Sequence, residues 1–111
     1  MFAESVRGSA DEFVSQYLVL QRSRREQDRR KLFVIEGVGA FVAAVNAGAA
    51  LRAILHCPRL LRSPVAQKLV RQRKRAGVPV AKLSPERFRE VSGAPRACGV
   101  AAIVEQRLTP L

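Results

Sequence analysis

The sequence predicts a three-layer α/β/α domain, and three observations carry that reading. Apolar runs rich in strand formers occur at 32–35, 51–57, 78–83 and 99–104. Helical patterns alternate with these runs, so a sheet with helices on both faces is the economical way to bury them. A length of 111 residues with 48% hydrophobic content suits one domain with its own core.

Each element has its own local signal. Ser9-Ala10-Asp11-Glu12 has the Ser-x-x-Glu form of a capping box. Beyond it Ala10, Phe13, Val14, Tyr17 and Leu18 share one helical face, which predicts a first helix from about 10 to 24. Leu32-Phe33-Val34-Ile35, closed by Glu36-Gly37, predicts a first strand buried on both faces. A second helix, about 38 to 48, turns Phe41, Val42 and Val45 inward and ends at Gly48. The second strand, 51–57, is stopped by Pro58. Ser63-Pro64 supplies an N-cap and a first-turn proline for a third helix that runs to about Ala76. Pro79 puts the third strand, 78–83, at a strand start or a sheet edge. Ser84-Pro85-Glu86 repeats the Ser-Pro start for a fourth helix carrying Phe88 and Val91. A loop then leads to the last strand, 99–104, and 105–111 reads as an exit linker.

The charge is large and unevenly placed. Twenty Lys and Arg against nine Asp and Glu give a net charge of +11. No acid occurs between Gly37 and Pro85, a block that holds Arg52, Arg59, Arg62, Lys68, Arg71, Arg73, Lys74, Arg75 and Lys82. Solubility alone is served equally well by mixed signs. A phosphate polyanion, by contrast, rewards every added cation through counterion release, and arginine matches its oxygens in pairs. A membrane surface fits less well, because the 64–76 helix offers only Val65, Leu69 and Val70 as large apolar residues.

Several chemistries are excluded. Gly37-Val38-Gly39 continues to Val42 where a dinucleotide fingerprint needs a third glycine, and no acid follows to hold a ribose. His56, Cys57 and Cys98 are too few for a metal centre, and neighbours on a strand point to opposite faces. The two cysteines read as reduced thiols of a cytosolic protein rather than a disulfide framework. No signal peptide or membrane span is legible. No residue set makes a self-sufficient active site, so this chain alone reads as no enzyme.

The stretch Arg29-Arg30-Lys31-Leu32-Phe33-Val34-Ile35-Glu36-Gly37, followed by an alanine-rich helix, resembles the opening of a known domain. It is the substrate-binding domain of SPOUT-class RNA ribose methyltransferases, the SpoU/TrmH family. Gly77-Val78-Pro79-Val80 with Leu83-Ser84 and Phe88 is similar to a second family segment. Pro95-Arg96-Ala97-Cys98-Gly99-Val100 through Val104 is similar to the closing strand, with Ala97-Cys98 where the family has Pro-Gln.

The resemblance implies a four-stranded mixed sheet in an α/β/α sandwich like that of ribosomal proteins that bind kink-turn RNA. It implies a domain that positions rRNA or tRNA. A C-terminal knotted domain beyond Leu111 would transfer a methyl group from S-adenosylmethionine to a ribose 2′-hydroxyl, and full-length enzymes would form homodimers largely through that half. The expected division is a lead-in at 1–24, the RNA-binding domain at 25–104 and a linker at 105–111. No cofactor is expected in this chain. The alternatives are a free-standing ribosome-associated or kink-turn RNA-binding protein, and a protein-interaction domain with incidental charge.

The expected RNA contacts are Arg24, Arg25, Arg29, Arg30 and Lys31 at the entry to the first strand, Arg96 in the last loop, and a second patch of Arg71, Lys74 and Arg75 beside Arg73. These cations are expected to join in one surface. Glu36 and Gly37 are expected to be structural, opening the second helix.

Overall fold

A computed structural model describes residues 2–94 and 96–106, with side chains from residue 11 onward. The elements in chain order are α1 (Phe2–Arg22), α2 (Arg24–Arg30), β1 (Leu32–Glu36), α3 (Val38–Asn46), β2 (Leu51–His56), α4 (Pro64–Arg75), β3 (Val80–Lys82), α5 (Pro85–Val91) and β4 (Val100–Glu105). The strands form one sheet in the order β1-β4-β2-β3. β4 is antiparallel to both β1 and β2, and β3 lies parallel to β2 at the far edge. The mixed four-stranded sheet is therefore present.

Alternation along the strands feeds two cores, one on each face of the sheet. Leu32, Ala53, Leu55, Ala81, Ala101 and Ile103 face α1 and α5, where Val14, Tyr17, Leu20, Phe88 and Val91 pack. Ile54, Val100, Ala102 and Val104 face α3 and α4, where Phe41, Ala66 and Val70 pack. Burial of Tyr17 among these side chains pushes its phenol above the usual range. Three layers follow directly.

The first helix differs from expectation. Its backbone is helical from Phe2, so Ser9 lies inside it rather than at its start. It stops at Arg22 because Ser23 is extended (φ −133°, ψ 107°). Ser23 accepts a hydrogen bond from Glu26 N at 3.1 Å and so caps a second helix, α2. Ser23-x-x-Glu26 is the same pattern as Ser9-x-x-Glu12, and it is the one used as a cap. The expected division at 24/25 consequently falls within α2.

β1 is an edge strand that packs on both cores, but only Leu32 is buried and Phe33 to Glu36 are half-buried, so its burial is less complete than expected. β4 takes the central position and extends to Glu105, so the expected linker at 105–111 begins inside the sheet. Gln106 adds hydrogen bonds from Nε2 to the carbonyls of Gln27 and Leu32. The rest of that segment, 107–111, lies outside the described residues.

Both Ser-Pro starts are as predicted. Ser63 accepts from Ala66 N at 3.2 Å and Ser84 from Arg87 N at 3.2 Å. Val42, expected to face inward, is only half-buried, and Phe41 is the residue of α3 that is fully buried. Among the described residues no helix is long and apolar enough to cross a membrane.

Candidate nucleic-acid interface

The strand order fixes where the cations go. α2 packs beside β1 and α1, at one edge of the sheet. α4 packs beside α3 on the opposite face, and its outer side meets β3 at the other edge. Three strand spacings of about 4.8 Å separate those edges. The two predicted patches therefore stand at opposite edges of the sheet.

The α2 patch is also partly neutralised. Glu26 pairs with Arg29 at 2.8 Å and with Arg30 at 3.0 Å. The hydrogen bond from Arg29, and then that from Arg30, hold the Glu26 carboxyl down at about 2. Arg30 further shares a cleft with Asp11 and Glu12 of α1. Arg24, Arg25 and Lys31 are exposed and make no ion pair among the described residues. Lys31 closes α2 in the left-handed region (φ 59°).

The other edge gathers its cations without such partners. Residue His56 of β2 stands directly opposite Lys82 of β3 in the parallel register. With Arg71 and Lys74 of α4 they line a cleft of about 170 Å³ floored by Val70 and Val80. A second cleft, about 460 Å³, shares Pro58 and Lys82 with the first and adds Arg59 and Glu86. A third, about 410 Å³, begins at Leu60 and holds Arg89 and Arg96. Arg71, Lys74, Lys82, Arg59, Arg89 and Arg96 thus follow one another around the β3 edge and the sheet end, and none of them is in an ion pair among the described residues. Arg75 is exposed at the end of α4. Arg73 turns partly inward, with a buried Nε that has no partner.

Backbone contacts hold this strip in place. Cys57 N donates to Gly99 O at 2.8 Å, and Leu60 N and Leu61 N both donate to Cys57 O at 3.1 Å, which shapes the turn carrying Arg59. Gln67 Nε2 donates to Leu61 O at 2.7 Å. The loop that presents Arg96 is tied down by Glu36. Its carboxylate accepts from Ser92 Oγ and, at 2.9 Å, from Gly93 N. Gln21 Nε2 adds a bond to Val91 O at 3.0 Å. Glu36 thus clamps the α5–β4 loop instead of capping α3. Gly37 occupies the N-cap position of α3 without any side-chain cap.

Residues Arg71, Lys74 and Arg96 of the expected set thus lie on the strip, and Arg24, Arg25, Arg29, Arg30 and Lys31 lie away from it. Arg59, Lys82, Arg89 and His56 belong to it and are not among the RNA contacts expected from sequence. Pro79 at an edge strand was the one available hint that Lys82 is surface-facing. Among the described residues no three His, Cys, Asp or Glu cluster as a metal site.

Comparison with known proteins places this geometry. No curated protein sequence matches the chain. In the solved structures, an AdoMet-bound rRNA methyltransferase from Sinorhizobium meliloti superposes with a TM-score of 0.68 at 18% identity, covering 87% of this chain and 34% of that one. The SpoU methyltransferase AviRb from Streptomyces viridochromogenes gives 0.67 at 23% identity, covering 88% and 34%. An RNA 2′-O ribose methyltransferase gives 0.67 at 22% identity, covering 86% and 35%. The chain thus spans about a third of the length of the structures it matches, and these likenesses establish the fold. The family model for the MRM3-like substrate binding domain matches residues 14–102. That match takes in every strand but the end of β4 and all helices from α2 to α5, and the chain belongs to the MRM3-like substrate binding domain family.

Proposed function

We propose that this domain docks structured RNA, with ribosomal RNA as the first candidate, and so positions a ribose 2′-hydroxyl for methylation by a separate catalytic domain. The observation that carries the reading is the set of six cations around the β3 edge and sheet end, in three clefts of which two share Pro58 and Lys82, with one acid, Glu86, among their lining residues. Such a strip grips phosphates and sets register, while the shape of the clefts selects folded RNA.

S-adenosylmethionine does not fit here. Its sulfonium is a cation, and the clefts set six Arg and Lys against a single acid, Glu86. The chain from Gly37 to Pro85 has no carboxylate to hold its ribose. The methyl donor therefore belongs to the catalytic domain, and no chemical step is assigned to these residues.

The test is charge reversal with an rRNA fragment read by fluorescence anisotropy. Lys82→Glu with Arg96→Glu is expected to weaken binding at least about tenfold and to lower the slope of log affinity against log salt by about 2. Arg24→Glu with Arg25→Glu on α2 is expected to do less. Unchanged affinity and slope in the first pair would overturn the reading.

A further inference from the structure

The cleft between α4 and β3 has a feature that the rest of the strip lacks. His56 is half-buried, and its Nε2 is wholly buried with no hydrogen-bond partner. An unpaired buried ring nitrogen costs free energy unless something completes it. Every charged group lining this cleft is a cation: Arg71 and Lys74 from α4, and Lys82 from β3. β4, the other neighbour of β2, presents Val100 opposite His56 and adds no charge. The floor of Val70 and Val80 lowers the local dielectric and strengthens any charge pairing above it. At about 170 Å³ the cleft falls below the usual range for whole small-molecule ligands and suits one anionic group.

We propose that this cleft is a seat for a single phosphate group, held by Arg71, Lys74 and Lys82, with the ring of His56 completing its set of donors. The inference rests on the RNA reading above for the source of the phosphate. Burial, and then Lys82 and Lys74, push the His56 ring below its ordinary value and so favour its neutral form. An anion between His56 and Lys82 reverses the local field. The imidazole then gains a proton from solvent, and the half-buried imidazolium ring donates a hydrogen bond to a phosphate oxygen. Filling the seat and protonating His56 are thus linked, and each favours the other.

His56 is the sole histidine of the chain, so its ring resonances report the seat directly. Sulfate is the probe of choice, because it stays a dianion across the range in which histidine titrates. The experiment follows the His56 ring by NMR through a pH titration, in chloride and in sulfate at equal ionic strength. Sulfate is expected to raise the titration midpoint of His56 by about 1. In Lys74→Gln/Lys82→Gln the chloride midpoint is expected to rise, because repulsion is gone, and the sulfate effect to vanish. With a short RNA duplex, wild type is expected to bind about threefold tighter at the acid end of the histidine range, and His56→Gln to lose that dependence while keeping its thermal midpoint. A His56 midpoint indifferent to sulfate, with salt-sensitive RNA binding intact, would overturn the seat and leave the RNA reading standing. A midpoint that moves with sulfate in a protein that ignores RNA would uphold the seat and remove the RNA reading.

Discussion

A methyl group on Gly99 would lie 2.5 Å from Leu61 N and 2.8 Å from Cys57 O, both backbone atoms that cannot swing aside. Gly99 also sits at φ 93°, where an L side chain is strained. Gly99→Ala is therefore expected to cost about 3 kcal/mol or more, and to lower the thermal midpoint by at least about 10 °C. Gly48 is the internal control. Its φ is 73° but nothing lies within 4 Å, so Gly48→Ala is expected to cost only about 1 kcal/mol. Differential scanning calorimetry of the two variants checks both. Gly99 was legible as the start of the last strand, but its close approach to the β2–α4 turn depends on β4 lying next to β2. The pairing of His56 with Lys82 was hidden for the same reason: parallel register joins residues 26 positions apart and leaves no local pattern.

At the level of elements, α2 shows where local reading succeeds and fails. Ser63 and Ser84 were legible as caps because the proline after each one rules out a helix continuing through it. Ser9 and Ser23 carry the same Ser-x-x-Glu pattern, and nothing in four residues says which one a helix uses. Only tertiary packing of α2 against β1 decides it. Glu26 then does two things in seven residues: it follows the cap and it engages Arg29 and Arg30. Its folded-state carboxyl lies near 2, below the ordinary value. The contribution to stability is accordingly complete above the ordinary carboxylate range and is lost as pH falls from about 4 towards 2. Glu26→Gln is expected to flatten that acid limb in a circular dichroism titration. The same variant frees two guanidinium groups, so it is expected to raise RNA affinity modestly and steepen its salt dependence.

Across the whole molecule most of the charge of +11 is carried by a body of 41 × 32 × 31 Å. At 10 mM salt the screening length is about 30 Å, so cations on opposite faces still repel one another. At 150 mM it is about 8 Å and each patch is felt only locally. Salt is therefore expected to act in opposite directions on two observables. Between these concentrations the thermal midpoint should rise by about 5 °C, while RNA affinity falls steeply. A midpoint that does not move would mean that repulsion between patches is already relieved by pairs such as Arg87 with Asp11.

The position of β4 has a consequence for how the chain comes into being. It is the last strand of this sheet to leave the ribosome, yet it lies between β1 and β2 and supplies the only ladder β1 has among the described residues. Until residue 105 is made, β1 has no neighbour and β2 has only the short β3. The sheet then closes in one late event that joins residues some seventy positions apart, a topology that folds slowly and leaves sticky edges waiting. Deleting 100–106 would therefore leave no smaller folded remnant, and a translation pause just before that stretch is the moment when a holdase chaperone has most to cover.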